Sequence, residues 1–213
     1  MKKIIILSAL SVLLAGFVIM PAVRAVPSYA DKASAEFADV AAGDWFAEPV
    51  GYLAEHGIVR GYFGNFLPAD NISRADFLVM AMRALDVEIT AGIPRFSDVG
   101  NDDYYATYVA TAHIHGIVSG NEDGTFAPNA PVSRQDMYVI LYNLLDFKDK
   151  LPSEQLSTAD FREFEDSADV QSYAVEAVDA LVRGDILHGM DNRLNMREMS
   201  TRAQAAQLIF NTL

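Results

Sequence analysis

One short polar cassette occurs three times, as SRADF at 73–77, SRQDM at 133–137 and TRAQA at 201–205. In each copy a Ser or Thr precedes an apolar-periodic segment and an Asp or Gln follows three residues later, which predicts a capping box at a helix start. The arginines Arg74, Arg134 and Arg202 then fall in the first helical turn, where the helix dipole disfavours a cation by about 0.3–1 kcal/mol. Two roles explain this choice equally well: contact with an anionic ligand, or an ion pair with a local acid such as Asp39, Asp98 or Asp166.

Each cassette closes a longer repeated unit, whose pieces follow one another in the same order. The units open with FADV (37–40), FSDV (96–99) and FEDS (164–167), pass through an aromatic residue (Trp45, Tyr104, Tyr173), and continue through GIVRG (57–61), GIVSG (116–120) and DILHG (185–189). Repetition at this scale indicates units that bury their apolar faces against one another. The extra length before the third unit lies in the polar stretch 146–163, which we interpret as a longer connection or a short additional helix.

The apolar spacing within each unit predicts two helices joined by a loop. Val50, Leu53 and Ala54 form a stripe at helical spacing in the first unit, and the second helix of that unit begins at the cassette. Gly57 and Gly116, each followed by Ile, predict left-handed helix caps, whereas Asp185 predicts a weaker or differently built cap in the third unit. The expected fold is all-α, with three helix–loop–helix repeats packed as a pseudo-threefold bundle.

The first thirty residues have the pattern of an export signal. Lys2 and Lys3 precede an apolar run at 4–20, and small residues follow, with cleavage expected after Ala25 or Ala30. An uncleaved membrane anchor is the alternative. Removal of 1–30 lowers the net charge from −13 to −16, which disfavours nucleic acid and anionic membranes as partners. The chain has no cysteine, so neither disulfides nor a lipid anchor on cysteine is expected.

These motifs, in this order, resemble the S-layer homology (SLH) repeat over about residues 37–213. The resemblance divides the chain into a signal peptide (1–30) and SLH repeats at 31–92, 93–150 and 151–213. It implies a secreted protein of the cell wall or S-layer that binds a secondary cell-wall polysaccharide of Gram-positive bacteria without a covalent bond. It also implies pyruvate ketals on that polysaccharide, grooves between adjacent repeats as the binding sites, and an arginine of the cassette as a direct contact.

The resemblance implies a ligand for the cassette arginines. A pyruvyl ketal presents a carboxylate, which a guanidinium and free N–H groups at a helix start could bind together. We expect Arg74 and Arg134 to form the better sites and Arg202 the poorer one, because repeat three departs from the pattern at Gln204 and Asp185. Exposed aromatics can stack on sugar rings, although core packing explains Trp45 equally well and Tyr173 slightly better. The candidate ligand-binding residues are Arg74, Arg134, Arg202, Trp45, Tyr104, Asp76, Asp136, Gly61 and Gly120.

Other chemistry has little support in the sequence. The four histidines lack metal-ligand spacing, NEDG at 121–124 does not complete a calcium loop, and no nucleophile, phosphate-loop or zinc-protease motif occurs. We therefore expect no catalytic residue, metal or cofactor, and no stable membrane insertion after signal cleavage. The alternative function is a protein-interaction or self-assembly module of the surface layer, with another surface protein as its partner. A wall-glycan hydrolase is a third and weaker hypothesis.

Overall fold

The computed structural model describes residues 26–90, 92, 95–152 and 156–213, and the predicted leader up to residue 25 lies outside these ranges. The described residues form helices and no sheet, which confirms the predicted all-α class. None of these helices is both long and apolar enough to cross a membrane. The α-helices of the described chain are α1 (Tyr29–Glu36), α2 (Ala47–Glu55), α3 (Arg74–Ala84), α4 (Ala106–Ile114), α5 (Arg134–Phe147), α6 (Val175–Arg183) and α7 (Arg202–Phe210). Three single-turn 3-10 helices lie before α6, at Phe161–Glu163, Ser167–Asp169 and Ser172–Ala174.

The second helix of each unit begins where the cassette predicts. Ser73, Ser133 and Thr201 cap α3, α5 and α7 by accepting a hydrogen bond from the backbone N–H three residues later. The reciprocal bond of the capping box forms in α7 through Gln204. In α3 the Asp76 carboxylate instead accepts from the Ser73 hydroxyl and from Tyr104 of the second unit, so this capping residue also faces a neighbouring repeat.

The first helices end in the same geometry in all three units. Gly57 and Gly116 have φ of +68° and +72°, and the isoleucine after each donates to a carbonyl five residues back. Asp185 also adopts a left-handed conformation, at φ +57°, and Ile186 N donates to Leu181 O at 2.9 Å. The expected difference in cap construction is therefore wrong: the third unit keeps the cap and holds a non-glycine residue in it.

A closed ring of backbone hydrogen bonds relates the three units. Ile72 N donates to Ser200 O (2.9 Å), Ser200 N to Val132 O (2.9 Å), and Val132 N to Ile72 O (3.0 Å). These residues immediately precede the three cassettes, so the ring brings the starts of α3, α5 and α7 to one central place. The predicted pseudo-threefold bundle has this ring on its axis.

The FxD aspartates hold the loops that lead to the cassettes. Asp39 accepts from the N–H groups of Phe66 and Leu67, both at 2.7 Å, and Asp98 and Asp166 do the same in their units. Burial alone would raise the pKa of Asp166, but the backbone N–H groups of Leu194 and Asn195 outweigh burial and lower it. The three carboxylates are thus engaged as loop clamps.

Helix α1 was not predicted, because its residues overlap the leader motif. Ser28 and Asp31 form a complete capping box, and the helix packs closely on α2, where a Cβ on Gly51 would lie 1.8 Å from Tyr29 O. The S-x-x-D spacing at 28–31 is the sequence signal that could have located it. Cleavage after Ala25 would leave α1 whole, whereas cleavage after Ala30 would remove its cap and its first two residues.

Candidate functional site

Each cassette arginine extends out of its own unit into the next one along the ring. Arg74 lies over the Phe126 ring, with its guanidinium carbon 5.0 Å from the ring centre. Arg134 Nε donates to Leu194 O at 3.0 Å, and Arg202 Nε donates to Phe66 O at 2.8 Å. Phe66, Phe126 and Leu194 occupy equivalent positions, so the three side chains follow one design and cross three inter-repeat boundaries.

The backbone N–H groups at the helix starts are already occupied. Arg74 N, Arg134 N and Arg202 N each donate to a carbonyl of the next unit at 2.9 Å, and the following N–H does likewise at 3.0–3.2 Å. The cap hydroxyl takes the third N–H group. Our expectation that free N–H groups would share an anionic ligand is therefore wrong, since the next repeat satisfies them. The guanidinium groups are the part of the cassette left for an anion.

The alternative role for the arginines, an ion pair with a local acid, is also wrong. Asp39, Asp98 and Asp166 are committed to backbone N–H groups, as described above. Within the described ranges, no carboxylate lies at ion-pair distance from Arg74, Arg134 or Arg202. Each guanidinium instead contacts aromatic rings or carbonyl oxygens, which leaves its charge uncompensated by a direct partner.

Groove A combines residues from all three units. It is the cleft of about 300 Å³ beside the first loop, and its lining includes Arg60 and Arg83 of unit one, Tyr104 of unit two and Arg202 of unit three. Asp76 also lines it and accepts a hydrogen bond from Tyr104. Burial and this hydrogen bond raise the pKa of Tyr104. Three arginines and one carboxylate therefore give groove A a local excess of positive charge.

Groove C is the equivalent cleft beside the third loop, with a volume of about 280 Å³. Here Arg134 of unit two takes the place of Arg202, Trp45 of unit one takes the place of Tyr104, and Gln204 takes the place of Asp76. No carboxylate lies among its described lining residues, and much of the remaining wall is apolar: Met137, Ile186, Leu187, Met190 and Leu208. Arg134 is only 7% exposed, so its charge faces a largely apolar cleft.

Groove B denotes the third equivalent position, with Arg74, Asp136 and Tyr173. Tyr173 donates to Asp136 Oδ1 at 2.7 Å, which repeats the Tyr104–Asp76 contact of groove A. Burial lowers the pKa of Arg74, and the nearby Asp136 carboxylate opposes that effect. Arg74 Nε is buried and has no hydrogen-bond partner among the residues described. In groove B the Asp136 carboxylate therefore offsets the charge of Arg74.

The three repeat aromatics share one environment. Trp45, Tyr104 and Tyr173 are 60%, 60% and 51% exposed, so core packing does not explain them. The expectation that Tyr173 packs in the core is wrong, because its ring stands beside groove B with its hydroxyl held by Asp136. Each aromatic thus presents a face to solvent beside a cassette arginine from another unit.

Gly61 and Gly120 have a packing role. A Cβ on Gly61 would lie 2.4 Å from the Phe37 ring, and one on Gly120 would lie 2.2 Å from the Phe96 ring. Gly189 stands in the same relation to Phe164. The closing glycine of each loop therefore lets the opening phenylalanine of the unit pack beneath the loop, which accounts for the glycines without a ligand.

The combination of residues from three units in each groove was not predicted from the sequence. Arg60 and Arg83 were not predicted to join the site, and Gln204 was expected to affect the arginine of its own cassette, Arg202. In the structure Gln204 lines the groove of Arg134, whereas Arg202 lines the groove of Asp76. The sequence does contain one signal for Arg60. The fourth residue of the loop motif differs among the units, as Arg60, Ser119 and His188, and only the first of these is an arginine.

The sequence model of the S-layer homology domain matches residues 36–78 and 95–137, which are the first and second units. The chain is 31% identical over 182 residues to an endoglucanase of Bacillus sp. (strain KSM-635), and the match covers 83% of this chain and 18% of that enzyme. It is 27% identical over 201 residues to the S-layer protein sap of Bacillus anthracis, covering 93% of this chain and 24% of that protein. An amylopullulanase of Thermoanaerobacterium thermosulfurigenes is 35% identical over 119 residues, or 53% of this chain and 6% of the enzyme.

The two segments that the family model matches coincide with two of the three helical units of the fold. The chain spans at most about a quarter of the length of these three relatives. The predicted localisation, a secreted protein associated with the cell wall or S-layer, is confirmed by the family match and the S-layer relatives.

Proposed function

We propose that the chain is a non-catalytic cell-surface anchoring module whose inter-repeat grooves bind an acidic secondary cell-wall polysaccharide. In this proposal all three units are SLH repeats, at 31–92, 93–150 and 151–213, and the leader is cleaved after Ala25 so that α1 stays whole. The SLH matches in the first two units and the similarity to S-layer proteins support anchoring. The shared layout of the third unit supports its inclusion.

The observation that carries the proposal is a guanidinium without an ion-pair partner in grooves A and C, on a chain whose net charge is −13. A desolvated cation without a partner is costly, and a carboxylate on a ligand would relieve that cost. A pyruvyl ketal supplies such a carboxylate on a sugar ring. The exposed aromatic beside each arginine would stack on the apolar face of that ring.

Grooves A and C are the proposed principal sites. Groove A has the larger excess of positive charge, and groove C has an indole platform and no competing acid. In groove B the Asp136 carboxylate offsets the charge of Arg74, so its attraction for an anion is weaker. This ranking changes the sequence-based preference, since Arg202 and Arg134 now take the leading positions.

Calorimetry with a pyruvylated wall saccharide and its unpyruvylated twin tests the proposal. We expect the pyruvylated compound to bind at least about tenfold more tightly, because one charge-assisted hydrogen bond contributes about 1.5–3 kcal/mol. Equal affinity for both compounds would overturn the role of the carboxylate. Binding to purified cell walls that survives removal of the polysaccharide would instead support the protein-interaction alternative, and turnover of wall fragments would support a hydrolase.

A further inference from the structure

The turn at residues 62–65 exposes two aromatic side chains side by side. Tyr62 and Asn65 exchange backbone hydrogen bonds at 2.7 and 3.1 Å, so residues 63 and 64 form the tip of a tight hairpin. Phe63 is 89% exposed and Tyr62 is 67% exposed, and their rings pack edge to face with centres 4.5 Å apart. The two rings pack against each other, and the rest of their surface is exposed to solvent.

This turn has an unfavourable residue at its tip. Phe63 has φ +48° and Gly64 has φ +77°, a combination for which Asn-Gly or Asp-Gly is strongly preferred. A bulky aromatic at positive φ is strained, and such strain is concentrated at functional sites. Burial does not compensate Phe63, since its ring lies in solvent.

The corresponding turns of the other units are polar. Unit three places Asp191 and Asn192 in the left-handed tip positions, as turn preferences favour. Unit two has Asn121, Asp123 and Thr125 joined by side-chain hydrogen bonds. The aromatic pair is therefore particular to the first unit and is not required by the turn itself.

The aromatic pair lies next to groove A. Arg60, which lines groove A, is two residues before Tyr62, and two residues of chain span at most about 7 Å. Arg202 Nη2 donates to Arg60 O at 3.1 Å, so the groove arginine is anchored directly on the segment that leads into the turn. The turn is thus within the length of about one or two sugars of the Arg60 end of groove A.

We infer that Tyr62 and Phe63 form a second saccharide subsite, which stacks on the apolar face of a sugar adjacent to the one held in groove A. The inference rests on the proposed function and adds to it a preference for fragments longer than one sugar. Two joined aromatic rings beside a cationic groove suit a saccharide, which has apolar C–H faces and polar edges. Groove C lacks this extension, because the turn of unit three has Asp191 and Asn192 at its tip.

The test compares a pyruvylated single sugar of the wall polysaccharide with a pyruvylated fragment of several sugars, by calorimetry. In the wild-type protein the longer fragment should bind more tightly than the single sugar. Phe63→Asn should reduce affinity for the longer fragment by roughly fivefold, the scale of one aromatic contact, while leaving the affinity for the single sugar unchanged. Phe63→Asn should also raise the melting temperature, because Asn suits the left-handed position, so weaker binding cannot be ascribed to unfolding.

Phe147→Asn is the matched control, since it removes an exposed ring in a different cleft, beside Glu88 and His115. It should leave both affinities unchanged. Equal binding of the longer fragment by Phe63→Asn and wild type would overturn the subsite while the proposed function stands. Failure of wild type to bind either fragment would overturn the proposed function and the subsite with it.

Discussion

Groove A presents three arginines and one carboxylate, and at the equivalent place groove C presents one buried arginine, a tryptophan and a carboxamide. In groove A, Tyr104 is tied to Asp76, and Arg202 donates to two carbonyl oxygens. In groove C, Trp45 packs edge to face on Phe46, and Arg134 Nε donates to one carbonyl oxygen. One backbone framework thus carries a polar cationic site and an apolar site with a single charge.

The departure of repeat three at Gln204 does not change the groove of Arg202. A groove takes its arginine from one unit, its capping residue from the next unit and its aromatic residue from the remaining unit. Gln204 therefore removes the carboxylate that would have stood near Arg134. Electrostatic attraction in groove C acts through a less solvated environment, so the single charge there is screened less by water and salt.

Arg134→Ala should have the largest effect on binding. We expect the affinity for a pyruvylated saccharide in groove C to fall by about 10- to 100-fold, because a charge-assisted contact in an apolar cleft is lost. Arg202→Ala should cost less, since Arg60 and Arg83 remain in groove A. Calorimetry of both variants beside wild type measures the difference.

The control for these variants is Arg197→Ala, which removes an exposed arginine paired with Asp169. It should bind like wild type. Arg134→Ala also leaves the Leu194 carbonyl unpaired, at a cost of about 1–3 kcal/mol in stability. Melting temperatures are therefore measured beside the affinities, to separate a loss of stability from a loss of binding. If Arg134→Ala bound as tightly as wild type, groove C would not be an anion site.

The sequence predicted what repeats within one unit and could not predict what three units build together. The cap hydroxyls, the left-handed glycines and the two helices per unit follow from local rules, which act within a few residues. The grouping of Arg134 with Trp45 and Gln204 depends on how the ring of Ile72, Val132 and Ser200 rotates each unit relative to the next. Contacts between units also occupy the N–H groups at the helix starts, because these groups donate to carbonyls of the next unit, and no pattern in a single cassette reveals this.

Changing the charge of the capping residues should alter the affinities of grooves A and C in opposite directions, and by less than the loss of Arg134. Gln204→Glu places a carboxylate in groove C and should weaken binding of an acidic saccharide there by about tenfold, because like charges a few Å apart repel. Asp76→Asn removes the acid from groove A and should strengthen binding there by a similar or smaller factor. Both changes are nearly isosteric, and Glu is favourable at this position of a capping box.

Tyrosine absorbance gives an independent readout of this exchange. Asp76 contributes to the raised pKa of Tyr104, so Asp76→Asn should move the pKa of Tyr104 back towards its ordinary value. The raised pKa also means that stability from Tyr104 is present below about pH 10 and is lost as the pH rises further, and Asp76→Asn should reduce that loss. If both variants kept the wild-type affinity while the pKa of Tyr104 shifted in Asp76→Asn, the charge of the capping residue would not affect binding of an acidic ligand.

Asp185→Gly should have the smallest effect, and on stability alone. Asp185 and Gly57 occupy the same cap position before the loops of grooves C and A, at φ +57° and +68°. Glycine has no Cβ to strain there, so Asp185→Gly should raise the free energy of unfolding by about 1 kcal/mol, whereas Gly57→Asp should lower it by a similar amount. The contact of Asp185 with His188 is exposed and contributes little. Denaturant unfolding measures both variants, and a destabilising Asp185→Gly would mean that the aspartate itself holds the third loop in place.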